Sequence, residues 1–156
     1  MSGRRSLRRW LKSTSNRTFV LWPVLLLLAK AALDGGRPQV NFWGLPLLAW
    51  GYGQYGWVGR FRTALGGGGP GLSNPPERLV TSGPYRFTRN PMYLGHLIFF
   101  LGLAIMLSWP AWLVLLAHCW WFDRRARGDE AHLAQLFGPD YLVYAGRVKR
   151  WVPGVY

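Results

Sequence analysis

From Met92 to Phe122 the chain runs for 31 residues without a single Asp, Glu, Lys or Arg, and Pro110 interrupts that run. An unbroken helix of this length would measure about 46 Å at 1.5 Å per residue, against a bilayer hydrocarbon core of about 30 Å. Proline fits the first turn of a helix, but in an interior it removes a hydrogen bond and clashes with the preceding turn. Ser108-Trp109-Pro110 is therefore read as the end of one helix and the start of the next. The expected result is a tight hairpin of two apolar helices, 92–108 and 110–127.

The charges follow the same layout. The chain has 19 Lys and Arg against 6 Asp and Glu, a net charge of +13, yet half of its 156 residues are hydrophobic. A soluble domain this basic would suggest nucleic acid as partner. Here the cations stand in blocks between long apolar runs, the arrangement of a membrane protein, so nucleic acid is set aside. The ten Trp residues suit the headgroup level of a bilayer.

Two further spans precede the hairpin. The first, 18–33, is interrupted by Lys30, whose stem can reach the interface. Ala29-Lys30-Ala31 has the small-x-small form of a signal-peptide cleavage site, but its central lysine and the absence of a soluble domain after it favour a retained helix. The second span, 40–58, is rich in glycine (Gly44, Gly51, Gly53, Gly56), which lets helices approach closely in lipid. The basic blocks are Arg4, Arg5, Arg8, Arg9, Lys12 and Arg17 in the 1–17 tail, then Arg60, Arg62, Arg78, Arg86 and Arg89 in the 60–91 connection. Arg124, Arg125, Arg127, Arg147, Lys149 and Arg150 follow the last span, and only Arg37 lies on the other side. The expectation is an all-α integral membrane protein, a single membrane domain over 1–156 with about four transmembrane helices. Both ends and the active site face the cytoplasm, where the basic tails meet anionic lipid.

Between the spans, Leu65 to Pro76 with Gly66-Gly67-Gly68-Gly69-Pro70-Gly71 reads as a flexible linker. The segment 128–156 is amphipathic at best. Gly128 weakens a helix by about 1 kcal/mol relative to Ala, and Gly138-Pro139-Asp140 has the form of a helix start, predicting a short cytoplasmic helix. Cys119 is the sole cysteine, so neither an internal disulfide nor a paired-cysteine metal motif is available.

Two polar clusters lie at the cytoplasmic end of the hairpin: Gly83-Pro84-Tyr85-Arg86-Phe87-Thr88-Arg89-Asn90-Pro91-Met92-Tyr93-Leu94-Gly95, and Asp129-Glu130 followed by Leu136-Phe137-Gly138-Pro139-Asp140-Tyr141 and Tyr144. Arms of nearly equal length on either side of Pro110 return 127–130 to the level of Arg89 and Tyr93. A cation, an aromatic ring and two carboxylates would meet there. Taken singly, the arginines read as positive-inside anchors, the acids as a solvated face and the tyrosines as an aromatic belt.

As an ordered set these residues resemble the isoprenylcysteine carboxyl methyltransferase and phospholipid methyltransferase families. Arg89, Asn90, Pro91, Tyr93 and Gly95 stand at the family's Arg, His or Asn, Pro, Tyr and Gly positions. After the helix hairpin come the acidic pair Asp129-Glu130, then Phe137-Gly138, Tyr141, Tyr144 and the basic stretch Arg147 to Pro153. The likeness covers residues 78–153. It departs at Asn90, where the prenylcysteine enzymes usually carry His, and at Asp129, which replaces a Glu.

The resemblance implies methyl transfer from S-adenosylmethionine to a lipid-like or prenylated acceptor, an in-line displacement that needs no metal. Arg89, Asn90, Pro91, Tyr93, Gly95, Asp129 and Glu130 would hold the cofactor. Tyr85, Arg86, Tyr141 and Tyr144 would hold the substrate, and Arg89 and Glu130 would be catalytic. A carboxylate acceptor needs no base, whereas an amine would call on Glu130 or a water. A membrane reductase with a nicotinamide cofactor and a small four-helix transporter are the competing classes. The transporter needs an intramembrane acid, and every acid here lies outside or at the edge of a span.

Overall fold

The computed structural model describes Arg8 and residues 10–69 and 75–152; Arg4, Arg5 and Arg9 of the basic tail, Pro70 and Gly71 of the linker, and Pro153 lie outside the described residues. Among those described there are long helices, short 3₁₀ turns and no strand. The long helices are α1 (Thr14–Leu33), α2 (Leu45–Gly66), α3 (Pro91–Met106) and α4 (Trp109–Arg147). Among the described residues, α1 alone is long and apolar enough throughout to cross a membrane; α3 is apolar but shorter.

Each boundary has a local cause. Pro23 sits inside α1, where its ring would disturb a regular turn. The chain widens over Arg17–Leu21 instead, with the Trp22 N–H reaching back five residues to the Arg17 carbonyl. At the other end Lys30 does not stand alone: its Nζ lies 2.7 Å from Asp34 Oδ2, and the Gln39 N–H also donates to that carboxylate at 2.8 Å. This lysine, with the Gln39 N–H, holds the Asp34 carboxyl below its ordinary value.

The second helix begins later and ends later than the 40–58 expected. Asn41 caps a 3₁₀ turn over Phe42–Gly44, accepting from the Trp43 N–H at 3.0 Å, so the α-helix starts at Leu45. It then runs on through Arg60 and Arg62 until Gly67 and Gly68, at φ +70° and +69°, end it. Likewise α4 passes through Gly128 without a break, because one glycine costs a 39-residue helix only about 1 kcal/mol. The interruption comes at Gly138, with φ 52° and ψ −130°, after which Pro139 opens the next helical stretch. The expected short C-terminal helix is this stretch, 139–147, set off from the rest of α4 by the non-helical Gly138.

The chain forms two compact units, one of Met1–Tyr52 with His96–Ala117 and one of Gly53–Gly95 with His118–Tyr156. In the first, the Phe19 ring stacks on His96 at 4.8 Å and meets Phe99 and Tyr52 edge-on at 4.9 and 5.1 Å. The Asn41 N–H donates to the Met106 carbonyl at 2.9 Å, and Gly44 lies directly against the Gly102 backbone. In the second, Phe122, Val58 and Ala126 are wholly buried. A fully buried Phe or Val contributes about 1.5–3 kcal/mol through the hydrophobic effect. The candidate site lies entirely in this second unit.

Candidate active site

Pro91 opens α3, where a missing N–H costs nothing, and its carbonyl accepts from the Gln54 side chain of α2 at 2.9 Å. Just upstream, Thr88 and Asn90 are folded onto the segment that follows α4. The Thr88 hydroxyl donates to the Arg150 carbonyl at 2.7 Å and accepts from the Asn90 N–H at 3.2 Å. The Arg89 N–H donates to the Lys149 carbonyl at 3.0 Å. The stretch after α4 is thereby strapped across the start of α3 by main-chain atoms.

That strap carries Arg150 to Glu130. The Arg150 guanidinium grips the carboxylate with two parallel bonds, Nε to Oε1 and Nη2 to Oε2, both 3.0 Å. Arg89 Nη2 lies 3.2 Å from Oε2, and Asn90 Nδ2 donates to Oε1 at 2.9 Å. Glu130 is 8% exposed, so an acid that would be costly to bury alone is neutralised by two cations and an amide. Asp123 extends the network, accepting from Trp151 Nε1 at 2.9 Å and Arg127 Nε at 2.8 Å.

Beside it, Tyr93 is held by both ends. Its ring lies 5.0 Å from that of Phe122, its hydroxyl donates to Asp129 Oδ2 at 2.5 Å, and Arg125 Nε donates to that hydroxyl at 2.8 Å. Tyr144 fastens the far wall, donating to the Tyr85 carbonyl at 2.7 Å.

These groups surround a cavity of about 300 Å³. Its polar side is made by Arg89, Asn90, Tyr93, Asp129 and Glu130, and its aromatic wall by Tyr85, Tyr141 and Tyr144. Pro75, Pro76, Leu79, Val80, Met92 and Leu133 give an apolar side. Of the residues singled out in the sequence, Arg86 is exposed with its guanidinium over Phe87, and neither it nor the buried Gly95 lines the cavity.

The sequence reading missed Arg150, Arg125, Arg62, His132 and the Pro75-Pro76 pair. Arg62 was assigned to a connection because α2 was ended too early. The linker, too, is not simply loose where it is described. The Gly66 carbonyl accepts from the N–H groups of Glu77 and Arg78 at 2.7 and 2.9 Å, and Arg62 Nη2 donates to the Gly69 carbonyl at 2.5 Å. Main-chain ties of this kind bring the two prolines to the cavity.

The phospholipid methyltransferase family profile matches residues 40–140. The chain belongs to that family. Among curated relatives it is 40% and 43% identical to protein-S-isoprenylcysteine O-methyltransferases B and A of Arabidopsis thaliana, over 51% and 49% of this chain. It is 38% identical to the mouse protein-S-isoprenylcysteine O-methyltransferase over 48% of this chain. The matched stretch spans about two fifths of the two plant relatives and 27% of the mouse one. No solved structure gives a significant match.

Burial also leaves a mark on titration. It pushes the Tyr85 and Tyr141 phenols up to about 12, from an ordinary value of 10, and raises Tyr144 as well. Above pH 10 the unfolded chain releases protons that the folded chain still holds, so stability must fall as pH rises from 10 towards 12. Thermal melts in detergent at pH 8.5, 10 and 11 check this: the melting temperature should drop between the last two, with further tyrosinate absorbance appearing on unfolding.

Proposed function

We propose that this chain is a membrane-embedded methyltransferase that uses S-adenosylmethionine to methylate the carboxylate of a prenylcysteine-like acceptor at the cytoplasmic face. One observation carries the reading: two carboxylates, a guanidinium and an aromatic ring converge on a cavity whose other side is apolar. The relatives named as isoprenylcysteine O-methyltransferases favour a carboxylate oxygen as acceptor over an amine.

The cavity's residues suit such a donor. S-adenosylmethionine supplies an electrophilic methyl group on a sulfonium and needs partners for an ammonium, a carboxylate and ribose hydroxyls. Asp129 is engaged through Oδ2 only among the described residues, which leaves Oδ1 for an ammonium or hydroxyl. The Tyr93 ring can lie against the sulfonium, a contact worth about 0.5–2 kcal/mol. Glu130 has both oxygens occupied by Arg89, Arg150 and Asn90, so we assign it a positioning role for Arg89 rather than direct contact with donor or acceptor. A carboxylate acceptor, already ionised at neutral pH, asks nothing of Glu130 as a base. Holding acceptor and methyl in line and excluding water supply the rate.

We further propose that four segments, 18–33, 40–58, 92–108 and 110–127, cross the bilayer, with the last two as a hairpin, and that both ends and the rest of α4 are cytoplasmic. The outward faces support this: Trp50, Leu116 and Trp120 are each more than 60% exposed, surfaces that water would not tolerate in such number.

The test is transfer of radiolabelled methyl into a total membrane extract by the purified chain. Base-labile label marks an ester and supports the carboxylate; base-stable label marks methylamine and would move the reading to a phospholipid amine. Arg89→Ala should lower the rate by about a hundredfold or more, since it removes a charge-assisted contact and disorients its neighbours. Micromolar binding of a nicotinamide dinucleotide with no binding of S-adenosylhomocysteine would overturn the proposal.

A further inference from the structure

Methylation of a carboxylate asks no proton of the protein, whereas most other acceptors must shed one before or as they attack. The ionisable groups around the cavity decide where such a proton can go. Glu130 has both oxygens held by Arg150, Arg89 and Asn90. Asp129 accepts from the Tyr93 hydroxyl through Oδ2, and the reading above gives its Oδ1 to the methyl donor. Tyr144 donates to the Tyr85 carbonyl, and the Tyr141 hydroxyl is buried with no partner among the described residues. Burial pushes the Tyr85 and Tyr141 phenols up to about 12 and raises Tyr144 too, so all three stay protonated at neutral pH. The guanidiniums of the lining, on Arg62, Arg89 and Arg125, do not give up protons in a protein. His132 differs from all of these. It lines the cavity one turn beyond Asp129 on α4, is exposed, and makes no hydrogen bond, ion pair or ring contact with another described residue.

We infer that His132 is the proton acceptor for a second activity of this pocket, the S-methylation of an apolar thiol. The inference rests on the methyl-transfer reading above and gives the same donor a second class of acceptor. Imidazole is the side chain best suited to take a proton near neutral pH, directly or through one water, and exposure lets it pass that proton to solvent. The lining sets three guanidiniums against two carboxylates, and S-adenosylmethionine brings a further net positive charge. Such a cavity favours an anionic nucleophile and repels an ammonium, so an amine is the poorer acceptor. A thiol enters neutral, and cationic surroundings ease its ionisation. Pro75, Pro76, Leu79 and Leu133 give its carbon chain an apolar wall. In the transfer, the S–H proton passes to the His132 imidazole and the thiolate sulfur bonds to the methyl carbon. The bond from that carbon to the sulfonium breaks, its electron pair staying on the leaving sulfur. The products are a methyl thioether and S-adenosylhomocysteine, and His132 returns its proton to water.

The experiment offers the full chain in detergent radiolabelled S-adenosylmethionine and one acceptor at a time: 1-decanethiol, decylamine or N-acetyl-S-farnesylcysteine. Wild type should methylate the thiol and leave decylamine unlabelled. His132→Asn stays polar but cannot take the proton, and at an exposed position it should melt as wild type does. At pH 7 it should lower kcat/KM for the thiol by about a hundredfold, and the ratio of thiol to carboxylate methylation should fall by about that factor. The wild-type thiol rate should level off above neutral pH, whereas the variant's should climb about tenfold per pH unit with the thiolate in solution. Added imidazole should restore part of the variant's rate at pH 7. A readout without turnover is the ¹⁵N spectrum of the histidine rings with sinefungin bound, its ammonium standing in for the sulfonium. The His132 resonances, identified by their loss in His132→Asn, should shift towards the protonated form when decanethiol is added. The assignment is overturned if wild type esterifies the carboxylate but leaves the thiol unmethylated, or if decylamine is the better acceptor. It is equally overturned if the variant keeps the wild-type ratio and pH profile, or if the His132 resonances do not move. A wild-type chain that binds no adenosyl ligand and labels no acceptor would overturn the methyl-transfer reading as well.

Discussion

Glu130→Gln is expected to remove on the order of 99% of the proposed methyl-transfer activity and about 2–4 kcal/mol of stability. The glutamine side chain has the same shape, but it cannot balance the Arg89 and Arg150 guanidiniums that meet the carboxylate at 3.2 and 3.0 Å. Removing one partner of a buried ion pair leaves uncompensated charge behind, which is why the cost exceeds the net value of the pair. The two guanidiniums are 14% and 18% exposed, so some of the penalty is relieved by water and the lower part of the range applies. Because Arg150 also anchors the strap, the loss should spread to Thr88 and Asn90, whose partners include the Arg150 carbonyl. Chemical denaturation and single-turnover methyl transfer read the two effects separately. A variant with wild-type stability and rate would remove Glu130 from any organising role.

Gly44→Ala is expected to destabilise the first unit by about 3 kcal/mol, the upper end of overpacking penalties. A Cβ at Gly44 would stand 2.2 Å from the Gly102 carbonyl oxygen and 2.4 Å from the Met106 side chain. The side chain can turn away, but the backbone oxygen cannot, so the helix carrying Gly102 must shift. Gly53→Ala is the control: its Cβ would meet nothing within 4 Å, and removing a mid-helix glycine should raise stability by up to about 1 kcal/mol. Melting temperatures of the two variants in the same detergent should therefore move in opposite directions. Equal shifts would mean that the close approach of Gly44 and Gly102 is not what fixes this packing.

What could be read from the sequence was whatever depended on period, length or punctuation. Ser108-Trp109-Pro110 marks the boundary between α3 and α4, and counting turns on either side carries Asp129 and Glu130 back to Arg89 and Tyr93, where hydrogen bonds now join them. Gly138-Pro139 marks the break in α4 for the same reason. Helix lengths were less legible, since a single weak residue such as Gly128 does not stop a helix that packing supports. The second cation on Glu130 was not legible at all. Arg150 reaches it from an irregular segment held by main-chain hydrogen bonds, and such bonds leave no periodic trace in side-chain order. Nor could the sequence separate Tyr141 from Tyr144, because that difference depends on whether a carbonyl lies within reach of one hydroxyl.

The strap from Val148 to Val152 follows all four helices in chain order, yet its carbonyls and guanidinium complete the environment of the first turn of α3. During translation, therefore, all four helices must be made before the pocket has its final electrostatics. Nascent chains at residue 140 would hold Glu130 without its second cation. Competence to bind ligand should thus arise late and abruptly, only once Arg150 has been added.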